Sequence, residues 1–177
     1  MQEEPESAGF DAGHLPLSRA LLERPFSTGE LIDRPRLVER FDTATRHPLT
    51  IVSGEPAAGK TSVALEWMRS EAARDRPVGW LTIDTTLNDP GLFWRYMLAV
   101  TDRLGVACDD LARALDDDPT PGEAWLTTFT NRLAETPGGP VLVLDDFHIL
   151  QRQDVLAAAH DLIERLGTSA HVVLLTR

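Results

Sequence analysis

The stretch Gly54-Glu55-Pro56-Ala57-Ala58-Gly59-Lys60-Thr61 constrains what this chain can fold into more than any other. It fits the spacing G-x-x-x-x-G-K-[ST], and it stands between the β-rich run Leu49-Thr50-Ile51-Val52 and a helical pattern over 60–74. Glycines let the backbone curl with its N–H groups turned inward, and the helix that follows points its positive end at the same spot. A polyphosphate fits that cradle. Lys60 is placed to reach the β- and γ-phosphates and the Thr61 hydroxyl to ligate Mg²⁺, with Ser62 beside it. The nucleotide-binding set expected from the pattern is Gly54, Glu55, Pro56, Ala57, Ala58, Gly59, Lys60, Thr61 and Ser62.

Residue usage reinforces this reading. Lysine and arginine together number 17, and Lys60 is the one lysine among them. A planar guanidinium cannot replace a slim ammonium inside a tight phosphate cradle. The lysine therefore falls where a phosphate-binding role requires it.

The rest of the chain alternates strand and helix patterns. Val78–Asp84, Val141–Asp145 and His171–Leu175 read as strands, and residues 90–104, 123–134 and 154–166 as helices, the last ending at Gly167. Apolar strands separated by helices indicate an α/β fold with a mostly parallel sheet covered on both faces. Residues 31–46 suggest a turn and then a helix, with Pro35 in its first turn and Leu37, Phe41 and Ala44 on one face. Residues 109–122 are acidic and contain Pro and Gly, and read as a surface loop with one helical turn near Leu111. The acidic, Pro- and Gly-containing residues 1–13 read as a mobile leader. The expected division is a leader and short segment over 1–30 and a nucleotide-binding domain over 31–177.

The third strand ends in Asp145-Asp146. A buried strand can deliver Asp145 beside the phosphate loop to hold Mg²⁺, and Asp146 can orient an attacking water or accept its proton. Arg177, at the end of the fourth strand beside the expected γ-phosphate position, reads either as a γ-phosphate sensor or as a solvated terminal arginine. The expected catalytic set is thus Lys60, Asp146 and Arg177, with Thr61 and Asp145 on the metal. His148 has no second histidine at ligand spacing and reads as a packing residue. The four tryptophans Trp67, Trp80, Trp94 and Trp125 lie in apolar-patterned segments and read as core.

Composition excludes several other classes. The net charge of −11 disfavours binding to DNA or an anionic membrane by bulk electrostatics. A single cysteine, Cys108, rules out an internal disulfide and a cysteine-based zinc site. The N-terminus lacks the pattern of a signal peptide, and no apolar run approaches a membrane span, so a soluble, cytoplasmic chain is expected.

Five segments occur together and in the order of one family: the phosphate loop, Val78–Asp84, Asn88–Tyr96, Leu144-Asp145-Asp146-Phe147-His148-Ile149-Leu150 and Leu174-Leu175-Thr176-Arg177. Over residues 30–177 the chain resembles the P-loop NTPase domain of the large ATP-dependent LuxR-type, maltose-regulator-like transcriptional regulators of the STAND class. The Asp-Asp-Phe-His run is more diagnostic than the Walker A-type loop. The resemblance implies a three-layer P-loop NTPase core. It also implies a ligand-gated switch, ADP-bound at rest and ATP-bound and multimeric when activated, with slow hydrolysis supported by Asp146. Arg34 would pack near the adenine and ribose, with Asp33 where the class often has glycine. Self-association would run through this domain. DNA contact would belong to a C-terminal domain, after a winged helix and sensor repeats, all beyond residue 177. In folds of this class a further strand usually pairs beside the phosphate-loop strand; its absence would leave an open sheet edge, and weak nucleotide binding and self-association are expected for the chain alone. Two alternatives share the loop: a small-molecule phosphotransferase and an adaptor that binds nucleotide without hydrolysing it.

Overall fold

The computed structural model describes residues 17–25 and 34–177; the proposed leader and Asp33 lie outside them. Helix α1 spans Arg19–Leu22 and α2 Pro35–Ala44, with Pro35 in the first turn as expected. Strand β1 (Leu49–Ser53) leads through the phosphate loop into α3 (Lys60–Arg69), and β2 (Val78–Thr82) follows. Three helices come next: α4 (Pro90–Arg103), α5 (Asp109–Asp117) and α6 (Glu123–Ala134). The chain then forms β3 (Val141–Asp145), α7 (Gln153–Leu166) and β4 (His171–Thr176).

The four strands form one sheet in the order β1-β4-β3-β2, and every pairing is parallel. Alternation along β3 and β4 assigns the two faces. Leu142, Leu144, Val172 and Leu174 face a core shared with α4 through α7, while Val141, Val143, Val173 and Leu175 face Phe41, Val63, Ala64 and Trp67 of α2 and α3. The result is a three-layer α/β structure with helices on both faces. All four tryptophans are buried. Trp94 meets Trp125 and Phe129 edge-on at centroid distances of 5.2 and 6.0 Å, a geometry favoured by the ring quadrupoles.

Two expectations need correction. Residues 109–117 form a regular helix rather than a loop with a single turn. Leu111, Ala112 and Leu115 are buried on one side, the Trp125 indole donates to the Leu111 carbonyl at 3.0 Å, and Asp109 and Asp110 suit the positive helix start. The helix after the phosphate loop ends at Arg69, short of residue 74. Ser70 turns extended and its hydroxyl donates back to the Trp67 carbonyl at 2.6 Å, after which a 3₁₀ turn covers Glu71–Ala73.

Strand β1 pairs with β4 alone, so among the described residues its other side is a sheet edge; Ile51 there is 59% exposed. No described helix is long and apolar enough to cross a membrane.

Candidate nucleotide site

Because the sheet is parallel, all four strands deliver their C-terminal ends to one edge. Ser53 stands opposite Thr176 and Thr82 opposite Asp145 in the ladder. Gly54, Asp146 and Arg177, the residues that follow three of these strands, therefore share that edge, as ligand sites in open α/β sheets do. β4 lies between the strand that leads into the loop and the strand that carries Asp145. Arg177 is exposed beside the loop.

In the loop, Ala58 N–H donates to the Glu55 carbonyl at 3.1 Å. The left-handed positions are Ala57 (φ 61°) and Gly59 (φ 84°), not Gly54. A Cβ on Gly54 would meet the Ala58 Cβ at 3.5 Å and the Lys60 Cγ and Cδ at 4.0 Å, all ordinary contacts, whereas one on Gly59 would come within 2.6 Å of Arg34 Nη1. The steric demand for glycine is thus concentrated at Gly59, the residue before the first turn of α3. The Lys60 ammonium folds into the loop and donates to the Gly54 and Glu55 carbonyls at 2.7 and 3.0 Å.

Thr61 and Asp145 meet directly. The threonine hydroxyl lies 3.0 Å from Asp145 Oδ2 and 3.3 Å from Oδ1, and Asp146 N–H donates to Oδ1 at 2.9 Å. Asp145 is only 4% exposed. Burial pushes its carboxyl above the usual aspartate range, and the neighbouring Asp146 adds to the shift; the Thr61 hydrogen bond and the Lys60 charge oppose it. A buried carboxylate and a hydroxyl are hard oxygen donors with spare lone pairs, and this pair fits Mg²⁺. Asp146 adopts a left-handed conformation (φ 56°, ψ 35°) that aspartate tolerates better than most residues, and its side chain is half-exposed. His148 Nδ1 lies 3.9 Å from Asp146 Oδ1.

Arg34 sits just before α2. Its backbone N–H donates to Glu66 Oε1 at 2.7 Å, and its guanidinium lies against the loop, with Nη1 3.4 Å from the Ala58 carbonyl. Beside it a groove of about 400 Å³ runs between α2, the edge of β1 and the loop. Arg34, Arg40 and Lys60 line it together with Leu37, Phe41 and Val63, and among the described residues no acidic side chain does. In a chain with 28 acidic residues that is a local reversal of charge. The family resemblance pointed to Arg34, and neither it nor the sequence pattern pointed to Arg40 or Glu66. Arg40 lies one helical turn after Arg36 in a stretch whose charges balance overall, so only the fold reveals which arginines face the groove.

Fold and site geometry define a P-loop NTPase-like core. No family model matches the chain. Over 159 residues, 88% of the chain, it is 25% identical to the HTH-type transcriptional regulator MalT of Vibrio cholerae, covering 17% of that protein. Over 140 residues, 77% of the chain, it is 28% identical to the serine/threonine-protein kinase PknK of Mycobacterium tuberculosis, covering 12% of it. The MalT of Yersinia enterocolitica is 23% identical over 158 residues. The chain spans less than a fifth of the length of these curated relatives, and the similarity fits a MalT-like STAND NTPase region.

Proposed function

We propose that this chain is the Mg·ATP-binding switch module of a LuxR-type transcriptional regulator, and that it binds ATP and hydrolyses it slowly. The observation that carries the reading is the convergence of Lys60, Thr61 and Asp145 at one sheet edge, next to a groove lined by cations. Two relatives of different printed activity, a regulator and a kinase, match this same stretch. That supports a shared module rather than a catalytic domain specific to either.

In this reading the nucleoside occupies the groove beside Arg34 and Arg40, and the phosphates lie in the Gly54–Ser62 loop. The Lys60 ammonium exchanges its loop carbonyls for β- and γ-phosphate oxygens, a stronger charge-assisted pairing. Thr61 and ionised Asp145 would hold Mg²⁺, which would supply electrostatic stabilisation of the transferring phosphoryl group. Asp146 orients a water for in-line attack on the γ-phosphorus. The water oxygen bonds to phosphorus, the bond to the β–γ bridging oxygen breaks with its electron pair staying on ADP, and the water proton passes to the Asp146 carboxylate. Arg177 contacts the γ-phosphate and reports its loss. ATP would favour self-association through this domain and ADP the resting form, with DNA contact left to residues outside the chain.

The test is Asp146→Asn in the purified protein. Mg·ATP binding should persist while turnover falls at least roughly 100-fold. Unchanged turnover would remove Asp146 from catalysis, and a wild-type protein that binds ATP without any turnover would make the module a non-hydrolysing adaptor.

A further inference from the structure

The segment that carries Asp146 is an arch from β3 to α7, and both of its ends are held by residues that follow β2. At the first end, Ile83 N–H donates to the Asp145 carbonyl at 2.8 Å, which extends the β2–β3 ladder. At the second end, where Leu150 is buried in the core, one side chain supplies the hydrogen bonds from the β2 side among the described residues. Asn88 Nδ2 donates to the Ile149 carbonyl at 3.1 Å, and Asn88 Oδ1 accepts from Gln151 N–H at 2.7 Å and Arg152 N–H at 3.2 Å. The remaining Nδ2 hydrogen goes to the Thr85 carbonyl at 3.2 Å. An amide side chain has two donor hydrogens and two acceptor lone pairs, and here all four are used.

Asn88 is itself rigidly mounted. It closes the 3₁₀ turn Thr85–Asn88, which Asp84 caps by accepting from Thr86 N–H at 2.8 Å. The next residue, Asp89, caps α4 by accepting from Leu92 N–H at 2.9 Å. Between the two attachments lie Asp146, Phe147 and His148. The left-handed backbone of Asp146 lies on this stretch.

We infer that Asn88 is a positioning residue for hydrolysis: it fixes the arch so that the Asp146 carboxylate stays aimed at the attacking water, without itself contacting nucleotide. The inference rests on the reading of Asp146 proposed above. Neither the phosphate loop nor the groove contains Asn88, so its loss separates water positioning from nucleotide binding. A misplacement on the order of 1 Å at a reacting group can slow catalysis about 100-fold.

Two variants test it. Asn88→Ala removes all four bonds. Asn88→Asp keeps the shape and the two acceptor contacts but sets a carboxylate oxygen against the Ile149 carbonyl in place of a donor. Turnover at saturating Mg·ATP, affinity for a non-hydrolysable ATP analogue, and hydrogen exchange of the 149–152 amides are measured on the purified protein. In both variants kcat should fall roughly 10- to 100-fold. Analogue affinity should stay within about threefold, a change of under 1 kcal/mol, and the 149–152 amides should exchange faster while the β3 and β4 amides do not. Wild-type kcat in both variants overturns the inference and leaves the ATPase reading standing. A fall in kcat matched by an equal loss of analogue affinity, or global unfolding of both variants at the assay temperature, makes Asn88 a general structural staple and overturns it as well. A wild-type protein without turnover removes the reading of Asp146 and this inference with it.

Discussion

The Thr61 hydroxyl lies 3.0 Å from the Asp145 carboxylate, joining the first turn of α3 to the end of β3 across 84 residues of sequence. The contact has a cost, because Asp145 is buried and burial raises its pKa. Its ionised form opposes folding above the ordinary aspartate pKa, and the opposition disappears as acid neutralises the group. Asp145→Asn keeps the acceptor for Thr61 and removes the charge. Without Mg²⁺ or nucleotide, this variant should be more stable than wild type at pH 7 by about 1 kcal/mol in thermal melts. It should also lose the Mg²⁺ dependence of ATP binding. A lower melting temperature would show that the carboxylate stabilises the fold.

The two glycines of the phosphate loop should respond differently to the same change. Gly59→Ala places a Cβ in a left-handed conformation and within 2.6 Å of Arg34 Nη1, and should destabilise the chain by about 1–2 kcal/mol. Gly54→Ala meets ordinary contacts at 3.5 Å and beyond and should cost less than about 0.5 kcal/mol. Equal losses in urea denaturation would contradict the loop geometry.

Acid sensitivity should come partly from the other end of the sheet. His171 begins β4, its Nδ1 bonds to the His47 carbonyl, and its buried Nε2 has no partner among the described residues. Burial, with help from the Arg76 charge, lowers its pKa from 6.5 to about 4. The unfolded chain takes up this proton first, so stability should fall as pH drops from 6.5 to about 4, by on the order of 3 kcal/mol in total. His171→Asn retains a donor for the His47 carbonyl and should flatten that part of the pH–stability curve. An unchanged slope would place the acid sensitivity elsewhere.

Among the described residues, the outer side of β1 offers unpaired backbone groups and an exposed isoleucine. Ile51→Lys should leave circular dichroism and melting temperature unchanged and lower the self-association seen by sedimentation at high concentration. Identical association in both proteins would exclude this edge.

The sequence pattern located the sheet, the loop and the acidic pair because each rests on local chemistry. Apolar runs mark strands buried on both faces, and glycine with lysine marks an anion cradle. Helix α5 was obscured because its aspartates hide a three-residue buried face that only packing against α4 and Trp125 explains. Arg40 could not be told from neighbouring arginines until α2 was packed beside β1. Asn88 lies in a segment quoted for the family resemblance, but its partners at 149–152 are 61 to 64 residues away. Such a contact exists only once β2 and β3 are adjacent.

The central claim is that Lys60 and the loop around it grip the phosphates of ATP. Titration of Mg·ATP into wild type and Lys60→Ala by calorimetry tests it most directly, with circular dichroism confirming the fold. Losing a charged donor to phosphate should weaken binding roughly 10- to 100-fold with an unaltered spectrum. Equal affinity in the two proteins would contradict the account.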